Sequence, residues 1–181
     1  MISRKEFIKK TCIGSACFCG FAALIHPVKA EGTNTIIPER NLSQNWLNVL
    51  LNKIDEIKDE NFKKQAVKSC AVSHYNNLNM NDVLQPYVGE IEKFITFLST
   101  EWGWVIEYDK NKQQIIANEN KKVCVCPVLP PDKNKTNPLI CYCSEGFAEL
   151  MFSKILEKKV SAEVISSIHR GNKNCIYKIS I

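Results

Sequence analysis

The sequence lacks the short motifs on which the commonest enzyme chemistries depend. It has no glycine-rich phosphate loop, no His-Glu-x-x-His helix, no Gly-x-Ser-x-Gly turn and no paired-carboxylate pattern. Only 3 histidines and 7 glycines occur in 181 residues, so there is little material for a histidine-rich metal site or a glycine-rich loop. These absences argue against kinases, nucleotidases, zinc proteases and α/β-hydrolases.

A marked excess of one charge is also missing once the first 30 residues are set aside. The whole chain has 24 basic and 19 acidic side chains and a net charge of +5. Five of the basic and one of the acidic side chains lie in residues 1–30, which leaves 19 and 18 and a net charge of +1. Since nucleic-acid binding depends on a basic surface, the sequence gives no reason to expect a nucleic-acid partner.

Residues 1–30 have the pattern of an export signal. Residues 3–9 are polar and positively charged, residues 11–25 are mostly apolar, and residues 28–30 form a small-x-small cleavage site. The opening resembles the twin-arginine consensus, except that Lys5 stands where the second arginine is expected. The apolar run is shorter than the roughly 20 residues that span a bilayer, so we expect no stable membrane span after cleavage.

Lipid anchoring at Cys17 is an alternative that the sequence favours less, because Gly14 stands where a lipoprotein signal has a leucine-like residue. The sequence thus predicts an exported protein, periplasmic or otherwise extracytoplasmic, with a flexible leader over residues 31–40. A chain of the remaining length is one ordinary domain, which we place at residues 41–181. The oligomeric state does not follow from the sequence.

Helical periodicity dominates the first half of this domain. The first predicted helix ends near Asp59, and its apolar face is Trp46, Leu50, Ile54 and Ile57. On a second helix, Cys70 and His74 lie four residues apart, a spacing that suits a metal or a thiolate–imidazole pair. We interpret Cys70 as core packing instead, since Phe62 and Ala66 share its stripe. A third helix is predicted from Asp82 as N-cap.

After Gly103 the period changes to that of strands. Residues 104–108 and 114–117 predict a β-hairpin, and residues 122–128 predict a third strand. A helix follows, predicted from Glu145 to about Glu157 with Ser144 as its N-cap and Phe147, Leu150, Met151 and Ile155 facing inward. Two further strands are predicted at residues 160–168 and 174–181. The predicted class is α+β, with N-terminal helices followed by an antiparallel sheet and one inserted helix.

Nine cysteines are the most distinctive feature of the chain, and five of them lie in its last third. Cys124 and Cys126 form one Cys-x-Cys pair, Cys141 and Cys143 form another, and Cys175 stands near the end. Four thiolates suit a tetrahedral zinc or iron site, so we predict these two pairs as metal ligands. Two alternatives stay open: a disulfide framework, and redox-active thiols with Cys143 activated by the N-terminus of the predicted helix.

The motif Cys143-Ser144-x-Gly146, with Arg170-Gly171 and Cys175-x-Tyr177 further on, resembles the closing signature of a bacterial superfamily. That superfamily includes aminothiazoline-carboxylate hydrolase-like proteins, ligand-binding domains of 4-vinyl reductases and exported cysteine-rich families of unknown function. The resemblance implies an α+β domain with a ligand or metal site between helices and sheet. It also implies backbone roles for both glycines. Asn172 departs from the acidic residue usual there.

The sequence therefore favours an exported domain that binds a small molecule or a metal ion through its cysteine cluster, without turnover. For a small molecule, the predicted ligand-binding residues are Arg170, Tyr177 and Trp104. One alternative is a hydrolase similar to the aminothiazoline-carboxylate family, with Cys143 or Cys175 at the site and Arg170 near a substrate carboxylate. The other is a disulfide-stabilised structural domain.

Overall fold

A computed structural model describes residues 39–126, 128–129 and 137–181, and the predicted signal and most of the leader lie outside them. Helices occupy the first part of this range and four strands the second. The helices are α1 Glu39–Asp55, α2 Glu60–Ser69, α3 Ala71–Asn77, α4 Met80–Leu84, α5 Ile91–Glu101 and α6 Cys141–Leu156. The strands are β1 Val105–Asp109, β2 Gln114–Asn118, β3 Ser161–Ser166 and β4 Ile176–Ser180. The predicted α+β class is confirmed, with α6 as the inserted helix.

The four strands form one antiparallel sheet in the order β1-β2-β4-β3. Its alternating sequences bury one face only, as expected of an antiparallel sheet covered by helices on one side. Strands β2, β3 and β4 each contribute two buried residues to this face, and these are Ile115, Ala117, Ala162, Val164, Tyr177 and Ile179. Helix α6 packs across β3 and β4, and Met151, Phe152 and Ile155 fill the space between the two layers.

Helix α6 also meets α2 and α3, and its backbone comes close to both of them at Gly146. A Cβ atom at Gly146 would lie 2.3 Å from the Lys68 carbonyl oxygen and 2.8 Å from the Ala71 Cβ. Only a residue without a side chain allows the backbones to come this close. Gly171 has a different reason for being glycine, because it ends a 3-10 turn with φ of +89°. The structure thus supports the backbone role predicted for both glycines.

Two glutamates of α6 bind the backbone of β3, which is an edge strand. Glu145 accepts a hydrogen bond from the Val164 N–H at 3.0 Å, and Glu149 accepts one from the Ala162 N–H at 2.9 Å. Their four-residue spacing on the helix matches the two-residue spacing of same-facing groups on the strand. Lys68 forms ion pairs with both carboxylates. These contacts occupy N–H groups that an uncovered edge would present to another chain.

The structure corrects several sequence predictions on the helical side. The inward face of α1 is Leu47, Leu51 and Ile54, whereas Trp46 and Leu50 are exposed. The predicted second helix is divided at Cys70, which is exposed and is therefore not a core residue. The third predicted helix is also in two parts, since α4 and a 3-10 turn precede α5.

The last third of the chain differs in two places from its prediction. The described residues of the predicted strand at 122–128 pair with no other strand and form an irregular segment. The inserted helix begins four residues earlier than predicted, at Cys141, because the 3-10 turn Pro138–Ile140 leads directly into it. Asn137 caps that turn by accepting a hydrogen bond from the Leu139 N–H. The predicted Ser144 cap is therefore wrong, and Leu150 is exposed.

Candidate ligand-binding cavity

A cavity of about 430 Å³ lies between α6, the inner face of the sheet, the end of α3 and the segment that follows β2. This volume is within the range of small-molecule sites. The cavity is lined by His74, Leu78, Trp102, Trp104, Glu119, Lys121, Cys124, Val125, Cys126, Leu129, Ile140, Cys141, Cys143, Ser144, Phe147, Ala148, Met151, Val164, Ser167, His169, Cys175 and Tyr177. Most of these side chains are apolar, aromatic or thiol.

Five cysteines contribute to the cavity wall, and they include both predicted pairs and Cys175. Desolvation by burial raises the pKa of Cys126 to about 12 and the pKa values of Cys143 and Cys175 to about 11. The pKa of Cys141 is raised by burial as well. These four thiols are therefore neutral near pH 7, and they behave as small hydrophobic groups. Burial thus shifts the pKa of Cys143 in the direction opposite to the lowering that the sequence predicts at a helix N-terminus.

The described residues contain no group of three or more His, Cys, Asp or Glu side chains that could hold a metal ion as they are arranged. None of the six cysteines in this part of the chain forms a disulfide. The structure brings Cys124, Cys126, Cys141 and Cys143 to one cavity but not into metal-ligand geometry. Zinc or iron binding by these four residues stays a prediction.

The cavity has a polar corner formed by His74, Glu119, Lys121, Ser144 and Tyr177. The Tyr177 hydroxyl donates a short hydrogen bond to Glu119 Oε1, and Lys121 Nζ lies 3.3 Å from Glu119 Oε2. Burial raises the pKa of Tyr177 well above its usual value, and burial lowers the pKa of His74. Both side chains are therefore uncharged at neutral pH, and the one carboxylate in the corner is paired with the one ammonium group.

Aromatic rings hold this corner in place. His74 stacks on Phe147 with ring centroids 4.5 Å apart, and Trp104 stacks on Tyr177 with centroids 6.0 Å apart. Trp102 packs edge-on against Trp104. Trp104 is buried, and its indole N–H has no hydrogen-bond partner among the described residues. A buried donor without an acceptor is unfavourable, and a bound molecule could supply one.

Of the three predicted ligand-binding residues, Trp104 and Tyr177 line the cavity and Arg170 does not. The guanidinium of Arg170 lies 4.7 Å from the centre of the Tyr142 ring, a cation–π arrangement on α6. Next to it, Cys141 Sγ and Ser167 Oγ lie 3.1 Å apart. Asn172 accepts a hydrogen bond from the Ser167 N–H at 3.1 Å, so its side chain shapes the turn before β4.

Sequence reasoning missed His74, Glu119 and Lys121 as cavity residues. His74 lies at the end of a helical stripe, where an imidazole is ordinarily solvated. Glu119 and Lys121 belong to a short polar segment after β2 that is typical of a surface loop. The available signal was the position of Glu119 directly after a strand whose alternate residues face the core.

Among curated proteins, no match to this chain is found. One similar solved structure is a trafficking protein particle complex subunit 3 from Naegleria fowleri, which is covalently bound to palmitic acid. It is 9% identical, the alignment covers 78% of this chain and 94% of that one, and the TM-score is 0.49. A family model, described as a family of unknown function, matches residues 30–181. The chain belongs to that family, DUF6144.

Proposed function

We propose that this domain binds a small, largely apolar molecule in the cavity between α6 and the sheet, without turnover of its own. The cavity of about 430 Å³ is the observation that carries this proposal. At about 30 Å³ for each water-sized group, it has room for roughly a dozen non-hydrogen atoms. Aromatic and thiol groups offer little to water, so an apolar molecule gains by replacing it.

The chemistry of the thiols favours binding over hydrolysis. A cysteine nucleophile reacts as the thiolate, and the raised pKa values of Cys143 and Cys175 keep both sulfurs protonated near pH 7. The hydrolase alternative also places Arg170 beside a substrate carboxylate, whereas its guanidinium does not line the cavity and is engaged by the Tyr142 ring and the Cys141 thiol. The disulfide alternative gains no support from the described residues, where no two cysteines are joined.

Export is a second part of the proposal. It rests on the sequence of residues 1–30, which lie outside the described residues. Within the described residues, no helix is long and apolar enough to cross a membrane. Cell fractionation of the expressed full chain tests this part, and recovery of uncleaved protein from the cytoplasmic fraction would contradict it.

Substitution of Val125 by phenylalanine should weaken binding of an apolar probe. Val125 lines the cavity and is about half exposed, so the larger ring can occupy ligand space without unfolding the core. The probe is 1-naphthylamine, a dye that is neutral at physiological pH, is small enough for a cavity of this volume and shifts its emission to shorter wavelength in an apolar environment. We expect the dissociation constant to rise about fivefold or more, which corresponds to about 1 kcal/mol.

Val123→Phe is the matched control for this experiment. Val123 lies two residues away on the same segment, is exposed and does not line the cavity. The control should bind the dye as the unsubstituted protein does. Equal affinities for Val125→Phe and Val123→Phe, or no dye binding by the unsubstituted protein, would contradict the proposed function.

A further inference from the structure

We infer that the cavity selects an uncharged amphiphile, bound with a hydroxyl or similar neutral group at the polar corner and with its apolar part along the thiol and aromatic wall. This inference rests on the proposed function and specifies its ligand class. It follows from the juxtaposition of a charge-balanced Glu119–Lys121 pair, the Tyr177 hydroxyl and the His74 imidazole at one end of an otherwise apolar cavity.

The corner has no charge left over for an ion. Glu119 and Lys121 neutralise each other at 3.3 Å, and the Tyr177 hydroxyl already donates to the same carboxylate. A ligand carboxylate would be desolvated beside Glu119, which disfavours it. A ligand ammonium group would be desolvated as well and would compete with Lys121 for one carboxylate. Among these residues, no unpaired charge of opposite sign is left for a carboxylate or an ammonium group of a ligand.

A neutral polar group, in contrast, finds both donors and acceptors there. The neutral imidazole of His74 has one N–H donor and one bare nitrogen. The Tyr177 hydroxyl donates to Glu119 and is also hydrogen-bonded by the Ser144 hydroxyl, whose own oxygen retains acceptor capacity. A hydroxyl group can donate to one of these acceptors and accept from the imidazole N–H. The hydrogen-bonding groups of the ligand hydroxyl and of the polar corner are then both satisfied.

The indole of Trp104 adds a separate observation at the same place. Its ring stacks on Tyr177, and its buried N–H lacks an acceptor among the residues that the structure describes. The indole N–H needs a hydrogen-bond acceptor, and a hydroxyl or carbonyl oxygen of a ligand supplies one without adding net charge.

Three probes that differ only in their head group test the inference: 1-octanol, octanoate and octylammonium. The readout is tryptophan emission in the full chain carrying Trp46→Phe. Trp46 is exposed on α1, so its removal leaves Trp102 and Trp104, both of which line the cavity. We expect 1-octanol to bind at least about tenfold more tightly than either ion at pH 7.5.

Glu119→Gln is the informative variant, and it keeps the size and the hydrogen-bonding capacity of the side chain. It should bring the affinity for octanoate to within about threefold of that for 1-octanol, because the repelling charge is gone while Lys121 stays. Glu107→Gln, an exposed position on β1, should leave the ratio unchanged. The head-group comparison in the Trp46→Phe chain does not depend on whether Glu119→Gln folds.

The outcomes separate this inference from the proposed function. Octanoate or octylammonium binding as tightly as 1-octanol would overturn the neutral-ligand inference and leave cavity binding intact. Failure of all three probes, together with failure of the naphthylamine dye, would overturn both.

Discussion

Alanine at Gly146 is expected to destabilise the protein by about 3 kcal/mol, although glycine-to-alanine changes inside helices ordinarily stabilise by about 1 kcal/mol. The new Cβ would lie 2.3 Å from the Lys68 carbonyl oxygen and 2.8 Å from the Ala71 Cβ. A carbonyl cannot rotate away as a flexible side chain can. Helix α6 would therefore have to move away from α2 and α3, and the well-packed contact between them would be lost.

Urea denaturation of the purified full chain measures this effect as a lower midpoint at constant slope. Gly171→Ala is the matched control, since a Cβ there meets no atom within 4 Å and only the positive φ is strained. We expect Gly171→Ala to lower the free energy of unfolding by about 1–2 kcal/mol. A Gly146→Ala protein as stable as the parent would show that the helices do not approach as closely as described.

Glu145→Ala is the second substitution with a large expected effect, and it should lower the free energy of unfolding by about 2–4 kcal/mol. The carboxylate is 1% exposed and accepts the Val164 N–H at 3.0 Å, so its removal leaves a buried donor unsatisfied. Lys64 Nζ lies 3.0 Å from Glu145 Oε2 in an ion pair that lacks hydrogen-bond alignment. Lys64 is about one-third exposed and can be hydrated, which limits its share of the loss.

Two further substitutions divide this effect into its parts. Glu145→Gln keeps an acceptor for the Val164 N–H and should lose only about 1–2 kcal/mol. Glu149→Ala removes the corresponding contact of a carboxylate that is one-quarter exposed, and we expect a loss of about 1 kcal/mol. If Glu145→Ala were no more harmful than Glu149→Ala in urea denaturation, burial of Glu145 against β3 would not matter for stability.

The sequence predicted the sheet better than the helices for a physical reason. β1, β2 and β4 are short runs rich in β-branched and aromatic residues between turn-forming residues, and in β2 and β4 every second residue is buried. On α1, two apolar stripes satisfy the helical spacing equally, because Leu47 and Leu51 lie beside Trp46 and Leu50. Tertiary packing determines which stripe faces inward, and the local sequence pattern does not contain this information.

The segment after β2 explains why the site was predicted only in part. Cys124 and Cys126 alternate with Val123 and Val125, which predicts a strand with both cysteines on one face. The segment forms no ladder with the sheet, and Val125 lines the same cavity as the two cysteines, so the pattern indicated neither the pairing nor the orientation of this segment. The pKa of Cys143 depends on desolvation by distant parts of the chain, which the position of a cysteine at a helix start does not reveal.

Selective ¹³C labelling of methionine methyl groups tests the central claim most directly. Besides Met1, the chain has two methionines, both fully buried: Met151 lines the cavity and Met80 does not. On titration with 1-octanol, a saturable shift of the Met151 resonance with an unmoved Met80 resonance is the result we predict. Both resonances unmoved at probe saturation, or both shifting together, would contradict binding in this cavity.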